Sequence, residues 1–313
     1  MTPPRIIGCI GLLLLAGCHA RDLRPLVAIV VPSQDNPFFK AEADAAAARA
    51  LELGYRVRVD AHEDDAYRQD NLIDTAIASD AKVLILDNAG TDASISAVRR
   101  ATRAGIAVFL IDREITARGI AKAQIVSDND QGARLVATEF ARLMQGGTAA
   151  PRKYAELLGR ESDTNAQVRT SGFHAVLDRF PNLTRVTAQS ANWSQAEAFS
   201  KTETILQAHG DISGIIAGND TMALGAVAAV KSAGLKGIKI VGFDGSPDAV
   251  AAIEAGEMQA TALQPAVSIS RLAVDEADLF LKTGSIGKPE MQVIPCELVV
   301  KSNAGSYVNF ERK

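Results

Sequence analysis

Short apolar runs alternate with amphipathic segments along the chain from Leu26 onward. The apolar runs lack a strict alternation of apolar and polar positions, which is typical of parallel strands covered on both faces. The predicted strands are Leu26–Val31, Arg56–Asp60, Val83–Leu86, Ala107–Ile111, Ala123–Val126, Lys153–Leu157, Arg185–Ala188, Gly214–Ala217, Lys239–Gly242, Ala260–Leu263, Met291–Ile294 and Glu297–Val300.

Segments with helical periodicity separate these runs, and a glycine follows several of them, where a positive φ is favoured. The predicted helices include Phe39–Leu53, Ser94–Ala104, Asp130–Leu143, Gln195–Ala208 and Met222–Ala233. Strands that alternate with helices indicate an α/β architecture with right-handed crossovers.

Two stretches repeat one plan of strand, loop, helix and strand, Val83–Arg113 and Gly214–Gly245. The two strands of each copy end in Asn and Asp, at Asn88 and Asp112 in one copy and at Asn219 and Asp244 in the other. Open parallel sheets bind ligands at the carboxyl ends of their strands. Two such sheets facing each other are therefore expected to line a cleft with polar groups from both walls.

A chain of 313 residues favours two domains over one. We expect two similar lobes, each a doubly wound parallel sheet flanked by helices, joined by a multi-strand hinge. The expected divisions are residues 25–126 plus 265–293 for the N-terminal lobe, 127–264 plus 294–306 for the C-terminal lobe, and a frayed tail at 307–313.

The charge argues against one class of partner. A net charge of −4, with no basic stripe, excludes nucleic acid, because neutralising phosphates needs clustered Lys and Arg. The sequence also lacks phosphate-loop, zinc-protease and nucleophile-elbow motifs. Paired carboxylates of a glycosidase are a remaining possibility, but Asp112 and Asp244 are better explained as hydroxyl acceptors. We therefore expect no enzyme activity, no cofactor and no metal.

The N-terminus predicts export. Arg5 and the apolar run Ile6–Leu15 form a signal-like segment that is short for a bilayer span. The segment ends in Leu-Ala-Gly-Cys, which resembles the bacterial lipoprotein cleavage site and predicts a signal peptide at 1–17 with lipidation of Cys18. An ordinary signal with an incidental Cys18 is the alternative. Cys296 would then be the remaining thiol of the mature chain, predicted to be buried and inert.

Aromatic residues follow two predicted strands. Phe38 and Phe39 come after Pro37, which suits the first position of a helix. They either staple that helix to the sheet or form an apolar floor for a sugar ring. The side chain of Trp193 either fills the hydrophobic core of its domain or forms the opposite wall of the sugar site.

A sugar site also needs groups that form hydrogen bonds with hydroxyls, and charged and amide side chains supply them. A hydroxyl both donates and accepts, so carboxylates and guanidinium groups are suited to bind it. The candidates are Asp112, Arg113, Arg169, Asn219, Asp244 and Gln264.

Six segments carry a resemblance to a known family. They read VVPSQDNPFF, FLIDR, NAQVRTSGF, IAGNDTMALGA, VGFDGSPD and ATALQPA. Together they resemble the periplasmic sugar-binding proteins of ABC importers, of the ribose-binding type, from about Leu26 to Lys301. The resemblance implies a type I periplasmic binding protein fold, with ligand contacts at Asn36, Phe38, Phe39, Asp112, Arg113, Arg169, Asn219, Asp244 and Gln264. Ribose binders usually have Phe where this chain has Trp193, and the wider indole suits a larger ring.

The resemblance implies a non-catalytic receptor that captures a pentose, a hexose or a related polyol. Closure of the lobes would bury the sugar, and the closed monomer would deliver it to the permease subunits of an ABC importer. Its expected location is the periplasm, anchored to the membrane by lipid. The alternative is a sensor that presents the bound sugar to a chemoreceptor or a histidine-kinase ectodomain. A repressor of the lactose-repressor type would need an N-terminal DNA-binding domain, whereas the first strand here starts at Leu26.

Overall fold

The computed structural model describes residues 22–146 and 150–313. The predicted signal peptide and Cys18 lie outside these residues. Within them, no helix has both the length and the apolar character needed to cross a membrane.

The first sheet collects strands from both ends of the chain. Its order is β11-β5-β4-β3-β1-β2, and every neighbouring pair is parallel. The strands are β1 (Leu26–Val31), β2 (Arg56–Ala61), β3 (Ala81–Leu86), β4 (Ala107–Ile111), β5 (Ala123–Ser127) and β11 (Met291–Ile294). Its helices are α1 (Pro37–Glu52), α2 (Ala66–Ala78), α3 (Ile95–Arg103) and α9 (Ala266–Thr283).

The second sheet repeats the arrangement in the order β12-β10-β9-β8-β6-β7, with the β10–β12 pair antiparallel. The strands are β6 (Arg152–Leu158), β7 (Leu183–Ser190), β8 (Ile212–Ala217), β9 (Lys239–Val241), β10 (Ala260–Leu263) and β12 (Glu297–Val300). Its helices are α4 (Asn129–Gln145), α5 (Thr164–Leu177), α6 (Gln195–Ala208), α7 (Asp220–Ser232) and α8 (Pro247–Ala255). The predicted α/β fold with two similar lobes is confirmed.

Strand β1 shows why the apolar runs are continuous. Val27 and Ile29 pack into a cluster with α1 and α9, whereas Ala28 and Val30 pack into a cluster on the opposite face with α2 and α3. Successive side chains of a strand point to opposite faces, so a sheet covered on both sides needs apolar residues at every position. The second sheet is likewise covered on both faces.

The chain crosses between the sheets at three described places: after Ser127, after Leu263 and between Ile294 and Glu297. Cys296 lies in the last crossing, where it is buried and unpaired. The predicted burial is confirmed, and burial raises the pKa of the thiol to about 12, which disfavours the reactive thiolate. The lobe boundaries stay a prediction, which the sheet membership of the strands supports.

The predicted frayed tail is wrong. Tyr307–Val308 and Glu311–Arg312 form an antiparallel hairpin, β13 and β14. Phe310 is 1% exposed, and its ring packs edge-on against that of Phe38 with 5.6 Å between centroids. The burial of an aromatic side chain, which a tail of polar composition would lack, fixes the end of the chain.

Candidate functional site

One cavity between the lobes is lined by all ten side chains that the sequence singled out. Two further residues, Asp163 and Asn165, complete its wall. The space between these side chains, including the part that is open to solvent, is about 250 Å³. Its lining comes from the carboxyl ends of strands in both sheets: Asn36, Phe38, Phe39, Asp112 and Arg113 from the first, and Asp163, Asn165, Arg169, Trp193, Asn219, Asp244 and Gln264 from the second.

Helix capping positions two of the amides. Asn36 caps α1 by accepting the backbone N–H of Phe38 at 3.0 Å. Asn219 caps α7 by accepting that of Met222 at 2.9 Å. A capping residue lies where the strand has ended and the helix begins, which is also where parallel sheets bind ligands. The capping geometry therefore holds both amides on the cavity wall.

Phe38 and Phe39 both pack against the core and face the cavity. Both line the cavity, and both belong to the core cluster that joins α1 to the sheet. Their rings contact each other edge-on at 5.6 Å, and the guanidinium of Arg113 lies 5.0 Å from the ring centroid of Phe39. The aromatic wall of the first lobe is thus fixed by its own packing.

Trp193 forms the facing wall of the second lobe. Its backbone has a positive φ of 66°, and its ring occupies the space that a side chain at position 159 would need, since a Cβ on Gly159 would lie 2.0 Å from the indole. The indole N–H donates to Oδ2 of Asp163 at 3.2 Å. The ring therefore lies against the backbone of Gly159 with its polar edge satisfied.

Arg113 is the centre of an acidic cluster in the first lobe. Its Nη1 donates to Oδ1 of Asp64 at 2.7 Å and to the carbonyl of Asn88 at 3.0 Å, and its Nε lies 2.9 Å from Oδ2 of Asp163. Burial opposes the positive charge, but the surrounding carboxylates, Asp163 first, raise the pKa of Arg113 well above its usual value. Its Nε and Nη2 form no hydrogen bond with the described residues, so the contact of Nε with Asp163 is an ion pair only.

Arg169 plays the corresponding part in the second lobe. Its Nε donates to Oδ1 of Asn129 at 2.7 Å, and its Nη1 donates to the carbonyl of Gly218 at 2.8 Å. The guanidinium also stacks 4.0 Å from the ring centroid of Phe243 and lies 3.4 Å from Oδ1 of Asp244. Its orientation is fixed before any ligand arrives.

Burial raises the pKa values of the two cavity aspartates. Burial raises the pKa of Asp112 to about 6, although Arg169 opposes the shift. Burial likewise raises the pKa of Asp244 well above its usual value. Gln264 donates to Asp244 Oδ1 at 2.8 Å, while Oε1 of Gln264 has no partner within the described residues. Hydroxyl groups that donate to the ionised carboxylates would favour the charged forms.

The lobes are closed upon each other. Besides the Arg113–Asp163 pair, Arg160 of the second lobe lies 3.3 Å from Asp64, and Asn165 donates to Asp112 at 3.2 Å. The acidic run Glu63-Asp64-Asp65 predicts a solvated loop from its sequence, and this prediction is wrong at Asp64, whose side chain is only 12% exposed. An acidic loop is readily mistaken for a solvated one when its basic partners lie far away in sequence.

Asp163 and Asn165 escaped the sequence analysis although a signal was present. Both follow β6, and Asp163 caps α5, so the strand-end argument applies to them as well. Asn88, at the matching position of the sequence repeat, does not line the cavity. Its amide donates to the carbonyl of Arg113 at 2.7 Å and so supports that loop. In the described part of the chain, no group of three or more His, Cys, Asp or Glu residues is suited to hold a metal ion.

Comparisons with known proteins agree with this geometry. The family model described as periplasmic binding protein domain matches residues 27–285. A D-apiose import binding protein of Paraburkholderia graminis is 57% identical over 280 residues, which cover 90% of this chain and 88% of the relative. A ribose import binding protein of Haemophilus influenzae is 35% identical over 294 residues, 94% of this chain and 96% of the relative. The crystal structure of an ABC transporter periplasmic solute binding protein from Actinobacillus succinogenes, with bound D-allose, has a TM-score of 0.83 at 28% identity, covering 91% of this chain and all of that one.

Proposed function

The chain belongs to the periplasmic binding protein family, and from this premise we propose that it captures D-apiose between its lobes for delivery to an ABC importer. It is a sugar-binding receptor of ABC import and not an enzyme. The choice of D-apiose within the monosaccharides is our proposal. It is supported by the relative that shares 57% of its residues with this chain over 90% of the length.

The observation that carries the proposal is the lining of the cavity. Aromatic rings from opposite lobes face a space of about 250 Å³ that is otherwise surrounded by carboxylates, amides and guanidinium groups. We propose the ten predicted residues as the ligand contacts, with Asp163 and Asn165 beside them.

The chemistry of D-apiose fits this lining. It is a branched pentose whose C3 carries a hydroxyl and a hydroxymethyl group, so its cyclic forms are five-membered rings. The apolar faces of such a ring would lie between Phe38 or Phe39 and Trp193. Nη2 of Arg113 and Oε1 of Gln264, which have no partner in the described part of the chain, provide a donor and an acceptor for its hydroxyls. The indole would then be matched to the branch of a pentose rather than to a larger ring.

Calorimetry with D-apiose, D-ribose, D-allose and myo-inositol tests the proposal. We expect D-apiose to bind most tightly, with a Kd of about 1 μM, near −8 kcal/mol, or better. If another sugar binds more tightly, that sugar becomes the proposed ligand and the proposed receptor function stands. Failure of every sugar in an extended panel of pentoses, hexoses and polyols to bind would overturn the proposed function.

The family is periplasmic, and we propose in addition that Cys18 is acylated and anchors the protein to the membrane. The support is the Leu-Ala-Gly-Cys segment after the apolar run. Cys18→Ala should move the protein from the membrane fraction to the soluble periplasmic fraction, and mass spectrometry of the native N-terminus should find the lipid. We also propose that the receptor is a monomer, which light scattering coupled to size-exclusion chromatography tests directly.

A further inference from the structure

We propose that Asp163 is a positioning residue that sets the selectivity of the sugar site by holding Trp193 and Arg113 in place. This proposal rests on the function proposed above. Asp163 is 4% exposed and lies in the turn between β6 and α5. Both of its carboxylate oxygens contact residues that line the sugar site or groups that position such residues.

The first oxygen, Oδ1, organises helix α5. It accepts the backbone N–H of Asn165 at 2.9 Å and caps the helix. The first turns of α5 carry Asn165 and Arg169, and both side chains line the cavity. A cap fixes where a helix starts and how its first turn is oriented, so Oδ1 helps to aim both side chains.

The second oxygen, Oδ2, joins the two lobes. It accepts the indole N–H of Trp193 at 3.2 Å and lies 2.9 Å from Nε of Arg113. Trp193 belongs to the same lobe as Asp163, whereas Arg113 follows β4 of the other sheet. The contact with Trp193 therefore survives opening of the lobes, and the contact with Arg113 forms on closure.

The contact with Arg113 determines which nitrogen remains for a ligand. Nη1 is already bound by Asp64 and by the carbonyl of Asn88, and Nε faces Asp163. A guanidinium is planar, so the two hydrogen bonds of Nη1 and the ion pair between Nε and Asp163 together restrict the direction of the third nitrogen. Nη2, which has no partner among the described residues, is consequently held in one orientation on the cavity wall.

Only a carboxylate can make these contacts together. An amide of the same size has one oxygen and one NH₂ group. If the oxygen keeps the cap, the NH₂ group faces the N–H groups of Trp193 and Arg113, so donors oppose donors. A buried indole N–H usually needs an acceptor, and leaving a buried donor unpaired is costly. Asp163→Asn should therefore release the indole while keeping the volume of the side chain.

A released indole weakens discrimination between sugars more than it weakens binding in general. Binding sites need their groups held to within about 0.5 Å of the productive geometry. If the ring of Trp193 moves, the wall no longer distinguishes the branched C3 of D-apiose from the single hydroxyl of D-ribose at the same carbon. We expect Asp163→Asn to lose D-apiose affinity by roughly tenfold or more and D-ribose affinity by less.

The variant set separates positioning from helix capping. Asp163→Ser keeps a good capping residue, but the Ser side chain is too short to reach Trp193 and Arg113. This variant replaces Asp163→Asn in the test if the Asn variant does not fold. Trp193→Phe removes the indole donor, and the double variant Asp163→Asn/Trp193→Phe should lose less affinity than the sum of the two single changes. Asp65→Asn is the matched control, since Asp65 caps α2 in the same way and lies outside the cavity; it should bind as the wild type does.

A readout without any sugar keeps this proposal separate from the proposed function. Trp193 is the single Trp of the chain, so its emission anisotropy and its quenching by acrylamide report on the indole alone. Both Asp163 variants should show lower anisotropy and stronger quenching than the wild type and Asp65→Asn. Unchanged indole mobility in both Asp163 variants would overturn the proposal, as would an unchanged ratio of D-apiose to D-ribose affinity. If the wild type binds no sugar, the proposed function fails and the fluorescence decides the positioning role.

Discussion

Asp112 and Asp244 occupy matching positions in the two lobes, and both have a positive φ, 55° at Asp112 and 121° at Asp244. Each follows the strand that ends its copy of the sequence repeat, and each carboxylate lines the cavity from its own side. Residues other than Gly are uncommon at positive φ, and such conformations are concentrated at ligand-binding sites. Both lobes thus hold an acidic residue in an unfavourable backbone conformation where the sugar is proposed to bind.

The backbone conformation of Asp112 predicts different effects of two small substitutions. Asp112→Gly and Asp112→Ala both remove the carboxylate, so they should weaken sugar binding alike. Gly adopts a positive φ without a steric penalty, whereas Ala does not, so the Ala variant should be less stable by about 1 kcal/mol. Urea unfolding measures the difference. Equal stability of the two variants would show that position 112 does not keep this φ in solution.

Arg169→Ala should weaken sugar binding by about 2 kcal/mol or more. The substitution removes a buried hydrogen-bond donor from Asp244, from the carbonyl of Gly218 and from the ligand. Titration calorimetry gives the affinity, and circular dichroism establishes that the variant is folded. Arg134→Ala is the control, since Arg134 forms an exposed ion pair with Asp130, and such pairs contribute little. Wild-type affinity in the folded Arg169→Ala variant would remove Arg169 from the site.

Glu42 predicts a pH-dependent stability. Its side chain in α1 is 0% exposed, its oxygens have no hydrogen-bond partner among the described residues, and burial, followed by the charges of Asp87 and Asp112, raises its pKa well above the usual value. The folded protein therefore keeps a proton that the unfolded chain has lost. Stability falls as the pH rises from about 4.5 towards the raised pKa.

Glu42→Gln should remove this part of the pH dependence. The melting temperature of the variant should match that of the wild type near pH 4.5 and exceed it increasingly as the pH rises. Glu52→Gln is the control on the same helix, because hydrogen bonds from Arg49 lower the pKa of Glu52 and give the opposite sign. A gap between Glu42→Gln and the wild type that shrinks as the pH rises would contradict the assignment.

Phe310→Ala should lower the free energy of unfolding by about 3–5 kcal/mol, the usual cost of truncating a buried Phe. It should also weaken sugar binding, since the ring packs on Phe38 of the cavity wall. Chemical unfolding and calorimetry measure the two effects. Val308→Ala in the same hairpin is the control, because Val308 is exposed and its truncation should change stability by no more than about 0.5 kcal/mol. If Phe310→Ala behaves like the control, the hairpin is not docked.

The sequence was sufficient for the fold and for most of the cavity wall. Periodicity located the strands because a sheet covered on both faces needs continuous apolar runs, as at Val83–Leu86, which forms the buried part of β3. The strand-end argument, together with the resemblance, identified side chains in both lobes that share one cavity. These are local signals, and each is contained in a few consecutive residues.

The remaining features depend on contacts between distant parts of the chain. Asp64 is largely shielded from solvent because Arg113 and Arg160 reach it from other elements. The C-terminal hairpin is ordered because Phe310 meets Phe38, at the opposite end of the sequence. The double role of Asp163 arises from two partners on two lobes. No local pattern encodes such pairings, so sequence reasoning placed Asp64 and the hairpin in solvent.

The first lobe is complete only after the C-terminal part of the chain has been synthesised. Helix α9, strand β11 and Phe310 complete a sheet whose other strands precede Asp128. Until β11 and α9 have been synthesised, β5 is an open edge and one apolar face of the sheet lacks its α9 cover, so we expect the first lobe to complete its fold only after the end of the chain is made. A chain whose first lobe is still incomplete exposes apolar surface and an unpaired strand edge, which chaperones recognise. A polypeptide that has to cross a membrane before it folds benefits from this order of assembly.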